Sequence, residues 1–219
     1  MQTLSTARSE SQILATNKVL KNTYALLALT LLFSAATAGI SMAMNLPYFG
    51  LMTIVGYMAL LFLTSKFRDS SLGILFVFML TGFMGLTIGP ILNSYLATTN
   101  GAQLVMTALG GTGAIFLALS GYVLTSRKDF SFMGGFMMVG ILVAFLAGLG
   151  AFIFQMPMLS LAVSAMFVLL MSGMILYQTS EIIHGGETNY IMATVSLYIS
   201  IYNLFLSLLH ILGAFSGDD

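Results

Sequence analysis

Seven stretches of this 219-residue chain contain no Asp, Glu, Lys or Arg: residues 24–44, 48–65, 72–92, 103–124, 130–154, 158–180 and 191–213. Each is 18 to 25 residues long, and about 20 apolar residues cross a bilayer as a helix. All 14 charged residues lie outside these stretches. Charges make up only 6 % of the chain against 58 % hydrophobic residues, whereas a soluble domain carries about a quarter charged residues. A water-facing surface cannot be assembled from that inventory. A backbone in lipid must satisfy its own hydrogen bonds. Continuous rather than alternating apolar runs do so as helices, not barrel strands. The expected fold is an all-α integral membrane protein with seven transmembrane helices.

The connections set the expected orientation. Arg8, Lys18 and Lys21 precede the first stretch, Lys66 and Arg68 follow the second, and Arg127 and Lys128 follow the fourth. The connections around residues 45–47, 93–102 and 155–157 carry no charge. Lys and Arg are retained on the cytoplasmic side, so the N-terminus is expected there and the C-terminus outside. Residues 1–23 then read as a cytoplasmic, mobile tail, 24–213 as the seven-helix domain, and 214–219 as a short periplasmic tail. A cleaved signal peptide ending near Ala36-Thr37-Ala38 is the weaker alternative, because its polar lead and apolar run are both too long. Tyr24, Tyr48, Tyr95, Tyr122, Tyr177 and Tyr190 fall near expected helix ends, where interfacial aromatics belong. Pro47, Pro90 and Pro157 lie at or near the uncharged helix ends, where proline costs little helix.

Small residues recur at every fourth position as Ala35/Gly39/Ala43, Gly110/Ala114/Ala118 and Gly140/Ala144/Gly148. Such stripes let helices approach closely in lipid, and helix packing is the expected role of all three. A Thr-Ser pair closes the second, fourth and sixth stretches, at Thr64-Ser65, Thr125-Ser126 and Thr179-Ser180. It reads either as a trace of duplicated hairpins or as polar residues suited to those helix ends.

The chemistry expected of the chain is limited. There is no Cys and the formal net charge is zero, which leaves no thiol chemistry and no basic field for nucleic acid. No Asp or Glu lies in a span, and the two histidines fall toward opposite ends of the bundle, so neither an aspartyl dyad nor a metal site is expected. Ser207 and His210 form at most a pair without an orienting acid. No enzyme activity and no cofactor are expected.

One helix carries a polar face. Ser196, Ser200, Asn203, Ser207 and His210 fall within an arc of about 80° at 100° per residue. Such a face turns away from lipid. It reads either as an interhelical hydrogen-bond stripe or as a hydrated path for a cation or protons.

Three stretches carry a resemblance: Gly89-Pro90-Ile91-Leu92-Asn93, residues 127–135 from Arg127-Lys128-Asp129 to Gly134-Gly135, and His184-Gly185-Gly186-Glu187-Thr188-Asn189-Tyr190-Ile191 running on to Ser196-Leu197-Tyr198. Through them the chain resembles the bacterial branch of the Bax-inhibitor transmembrane family, from Asn17-Lys18-Val19-Leu20 to Ile211-Leu212-Gly213. The resemblance implies a bundle of six helices around a central seventh, in the bacterial inner membrane. In some members a carboxylate on each of the sixth and seventh helices forms a proton-sensitive gate for a calcium leak, since close carboxylates share a proton and hold a hard cation. The matching positions here are Gln178 and Ser200, neither of which ionises. The branch that the chain resembles is associated instead with FtsH, the membrane-anchored ATP-dependent protease. The resemblance therefore implies a partner that binds and restrains that protease, with a passive cation or proton leak as the alternative.

Overall fold

A computed structural model describes the backbone of residues 2–216 and the side chains of residues 14–216. The last residues of the expected C-terminal tail, 217–219, lie outside the described residues. Seven α-helices follow in order: α1 (Gln2–Ala43), α2 (Leu51–Lys66), α3 (Ser71–Leu96), α4 (Gly101–Ser126), α5 (Gly134–Ile153), α6 (Pro157–His184) and α7 (Tyr190–Ser216). A single 3-10 turn, Ser131–Met133, precedes α5, and no strand occurs among the described residues. The exterior is apolar, with Leu32, Leu117, Leu169 and Phe152 all largely exposed. The interior holds three apolar clusters with hydroxyls set among them, including Thr30, Ser34, Ser41, Thr81, Thr112, Ser120 and Thr179. An apolar exterior around such a core suits lipid as the solvent, and the chain is a multi-pass helical membrane protein.

Two boundaries differ from the sequence expectation. Six helices have the length and apolarity to cross a membrane, while α2 is shorter, with 16 residues, or about 24 Å at 1.5 Å per residue. Charge-free sequence overestimates it because Gly50, at φ 53°, ends the irregular connection and starts the helix. Absence of charge does not mark where a helix begins. Conversely, α1 starts at Gln2, so residues 2–23 of the expected tail are a helical extension of the first span. The side chains of its first residues lie outside those described.

The three family-like stretches are structural joints. At Gly185, φ 78° ends α6 in a left-handed cap, with Gly186 N–H donating to Glu181 O at 2.8 Å and Gly185 N–H to Ile182 O at 3.4 Å. This double bond satisfies carbonyls that the helix leaves free. Asn189 then caps α7, its Oδ1 accepting from Ile191 and Met192 N–H at 3.0 and 3.1 Å. Its Nδ2 donates to Arg68 O and Asp69 Oδ1, tying the α6–α7 turn to the α2–α3 turn.

In the second joint, Pro90 sits inside α3, where a missing N–H orphans the carbonyl four residues back. That carbonyl, Leu86 O, accepts from Ser41 Oγ of α1 at 2.7 Å. Gly89 makes the approach possible, since a Cβ there would meet Ser41 Cβ at 2.5 Å and Ala38 O at 3.2 Å.

The third joint is polar. Asp129 Oδ1 accepts from Ser131 Oγ and Ser131 N–H at 2.6 and 2.8 Å, and Ser180 Oγ of α6 accepts from Phe130 N–H at 2.8 Å. The Ser131 hydroxyl first, then its N–H, hold the Asp129 carboxyl below the usual carboxylate range. A depressed carboxylate stabilises the fold above its unfolded pKa and loses that contribution as pH falls through the lowered value. The thermal midpoint of the wild type is therefore expected to fall more between about pH 6 and about pH 3 than that of Asp129→Asn, the ordinary carboxylate titrating near 4. Equal slopes would refute a role for this joint.

Only one small-residue stripe packs as expected. On α5, Ala144 is fully buried, and a Cβ at Gly140 would meet Leu170 Cδ2 of α6 at 2.6 Å. The stripes on α1 and α4 face outward, with nothing within 4 Å of a Cβ at Gly39 or Gly110. The close α1–α3 contact uses glycines of α3 instead, Gly82, Gly85 and Gly89.

The Thr-Ser pairs share no single role. Thr64 and Thr125 bond back to Leu60 O and Gly121 O in their own helices. Thr179 reaches across to Ser120 of α4 and Tyr24 of α1, both at 3.4 Å.

Candidate functional site

α7 packs against α1, α2, α3, α4 and α6, whereas the α5 backbone lies close only to α6 and the 3-10 turn, and its Met137 and Ala144 share an apolar cluster with Leu170 of α6 and Leu204 of α7. The backbones of α2 and α5 stand apart. Between them opens a lateral cleft of about 590 Å³ whose floor is α6 and α7. Tyr57 of α2 stands on one side and Met138, Ile141, Leu142 and Phe145 of α5 on the other.

The floor is polar. Gln178, Ser196, Ser200 and Asn203 all line it. Ser200 Oγ lies 3.1 Å from Gln178 Oε1 and 3.1 Å from Ser196 O, so the two positions where the resemblance puts carboxylates are in direct contact as a neutral amide–hydroxyl pair. Asn203 Nδ2 donates to Ile199 O at 2.8 Å within its own helix. Gln178 is 8 % exposed, and its Nε2 has no hydrogen-bond partner among the described residues. Whichever way the amide is oriented, one end stays free.

The remaining stripe residues do not line the cleft. Ser207 is buried nearer the uncharged end. The His210 Nδ1 pairs with Ser164 Oγ of α6 at 2.7 Å, and Ser164 Oγ also donates to Ser160 O at 3.1 Å. The polar arc on α7 is thus shared between a cleft toward the basic end and a local α6–α7 contact toward the other.

A second cavity of about 220 Å³ adjoins the cleft at the basic end and shares Gln178 and Ser196 with it. Tyr177, Glu181, Gly186 and Glu187 complete its wall. The α6 cap brings the two glutamates onto one wall, since Glu187 N–H donates to the Glu181 backbone carbonyl at 3.1 Å, and Glu187 Oε1 accepts from Asn189 N–H at 2.7 Å. Both side chains are half-buried, and neither forms an ion pair among the described residues. Sequence reasoning singled out Gln178 but not these glutamates. The signal was available, since Gln178 and Glu181, three apart, share one face of α6. Among the described residues no three His, Cys, Asp or Glu side chains converge as metal ligands.

The sequence profile of the family described as "Inhibitor of apoptosis-promoting Bax1" matches residues 16–217. An Escherichia coli K12 protein named "Modulator of FtsH protease YccA" is 52 % identical over 216 residues, covering 98 % of each chain. Its counterpart in E. coli O6:H1, of equal identity and coverage, is named "Inner membrane protein YccA". An uncharacterized protein of Pseudomonas aeruginosa is 55 % identical over 202 residues, 92 % of this chain and 91 % of its own. These matches run through all seven helices and every joint described above, and the chain belongs to the Bax-inhibitor (Bax1-I) family.

Proposed function

We propose that this chain is a non-enzymatic protein of the bacterial inner membrane that binds the membrane-anchored protease FtsH and modulates its action on other membrane proteins. The carrying observation is the 52 % identity, end to end, with a relative named for that modulation. In this reading the seven helices all cross, α7 is the central helix, and the N-terminus is cytoplasmic; the seven Lys and Arg residues support it, lying in the first half of α1 and around the ends of α2 and α4. α1 then projects its polar residues from the basic end, where the protease works. Crosslinking and co-purification from native membranes is expected to recover the protease with the full chain. Removing residues 2–12 is expected to weaken that recovery and to speed turnover of a membrane-protein substrate. Unchanged recovery and turnover would remove the N-terminal segment from the proposal, and failure of the full chain to recover the protease would overturn it.

A second reading, a passive cation or proton leak, is favoured by one observation. The polar run Ser196–Ser200–Asn203 is reached from the glutamate-lined cavity through Gln178. In that reading Ser207 and His210 continue the path toward the uncharged end. The neutral Gln178–Ser200 pair weighs against proton gating, because neither group titrates. Flux into liposomes separates the readings: conduction abolished by Asn203→Leu with Ser200→Ala establishes a leak, and an impermeable protein excludes it.

A further inference from the structure

We propose that the two adjoining cavities form a binding site for one membrane phospholipid with an amine head group, taken from the leaflet at the basic end. Its ammonium would sit between Glu181 and Glu187, its ester carbonyl on the free end of the Gln178 amide and the Ser196 hydroxyl, and one acyl chain in the cleft between α2 and α5.

Depth supports this assignment. α5 runs from Gly134 to Ile153, 20 residues, or about 30 Å, the thickness of the hydrocarbon core. The Tyr177 ring lies over Gly134, 3.0 Å from where a Cβ would stand. Gln178, the next residue, is therefore level with the edge of the core, where lipid ester groups lie. The cleft wall continues along α5 to Phe145, about 16 Å further at 1.5 Å per residue, close to the bilayer midplane. The cleft thus spans one leaflet.

Chemistry follows the same axis. At the membrane surface the cavity holds two half-buried carboxylates with no ion pair among the described residues. At the interface Gln178, nine-tenths buried, presents an unused polar end shared by both cavities. Toward the midplane the lining becomes Ile141, Leu142, Phe145, Phe167 and Met171, with Asn203 as the one polar side chain there, its Nδ2 bonded back to Ile199 O. An ammonium, an ester carbonyl and a hydrocarbon tail in that order match an amine-headed phospholipid, whose phosphate would lie between the ammonium and the carbonyl, at the mouth shared by the two cavities. A soluble amine would leave the cleft unfilled, and an anionic lipid would meet the glutamates with like charge. Entry is lateral, because the α2 and α5 backbones stand apart and Met138 and Leu142 are 74 % and 58 % exposed.

The chain has no Trp, so a single introduced Trp reports lipid contact without background. Leu142→Trp places it in the cleft wall, and Leu117→Trp on the exposed face of α4 serves as the bulk-lipid reference. Each is reconstituted with acyl-brominated phosphatidylethanolamine or phosphatidylglycerol, and quenching gives the relative affinity of the two lipids. Leu142→Trp is expected to prefer phosphatidylethanolamine about fivefold, the scale of two modest ion pairs, and Leu117→Trp to show no preference. Glu181→Gln with Glu187→Gln should return the cleft ratio to that of the reference. Gln178→Leu should weaken quenching by both lipids at the cleft alone. The same ratio at both Trp positions, or a preference that survives loss of both glutamates, overturns the proposal. The Leu117→Trp value within each variant shows that the protein is inserted. None of these readings involves the protease, so the lipid site and the protease partnership stand or fall separately.

Discussion

Gly85→Val is expected to cost about 3 kcal/mol or more, at the upper end of overpacking penalties, and to lower the SDS unfolding midpoint of the protein in detergent micelles. A Cβ at Gly85 would run into the Ser34 carbonyl and the Thr37 hydroxyl of α1. The hydroxyl can rotate away, but the carbonyl is backbone and part of a helix, so α1 and α3 must separate. Separation exposes the Leu86 carbonyl freed by Pro90, which depends on Ser41 of α1. Leaving such a group unpaired in lipid costs several kcal/mol in its own right. Thr37→Ala is therefore expected not to rescue Gly85→Val. Gly39→Val and Gly110→Val have open space around the new side chain and should stay within about 0.5 kcal/mol of wild type. A Gly85 variant as stable as these two would refute the close α1–α3 contact.

That contrast bears on what a sequence can reveal about this fold. The number and order of helices were legible because charge is so costly in lipid that its placement marks the connections. Pairing was less legible. A small-xxx-small stripe says that a close approach is possible, not that one occurs. Ala35/Gly39/Ala43 and Gly110/Ala114/Ala118 have the spacing and face outward, whereas Gly85 and Gly89, also four apart, pack with Gly82 against α1. The latter matter because they oppose Phe33, Ser34 and Ser41, a relation visible only once α1 and α3 are side by side.

The candidate site divides in the same way. The polar arc on α7 follows from helical geometry, and its inward orientation from the cost of polar groups in lipid. Resemblance to the family, not spacing, put Gln178 beside Ser200, and the two side chains do meet. The cleft itself depends on the α2 and α5 backbones standing apart, and such a gap leaves no mark on a single sequence. His210 was grouped with the stripe by its spacing, but the structure gives it a partner of its own in Ser164. Glu181 and Glu187 were first seen as connection charges that help define spans. The α6 cap turns them toward one cavity, so the same residues mark a boundary in the sequence and form a potential head-group cradle in the fold.

Tyr198→Ala is expected to cost about 3–5 kcal/mol, the range for truncating a large buried aromatic. Tyr198 is 1 % exposed and is the largest of the fully buried side chains. Its hydroxyl donates to Thr81 O at 3.3 Å and accepts from Ser34 Oγ at 2.6 Å, joining α7 to α3 and α1. Tyr198→Phe keeps the ring and removes only this bolt. Interhelical hydrogen bonds in membranes average about 0.6 kcal/mol and reach about 1.7, so the Phe variant should lie far closer to wild type than the Ala variant. A Ser34→Ala/Tyr198→Phe cycle should show coupling within that range, whereas additive single effects would mean that the hydroxyls do not act on each other. The two substitutions should also differ at the cleft. Ser200 follows Tyr198 by two residues on the same helix, so a cavity at Tyr198 lets α7 shift and loosens the contact between Ser200 and Gln178. Tyr198→Phe leaves the backbone of α7 seated and should preserve the lipid preference read at Leu142→Trp. Loss of that preference in the Phe variant would mean that the Tyr198 hydroxyl, not the packing of its ring, holds the floor of the cleft in place.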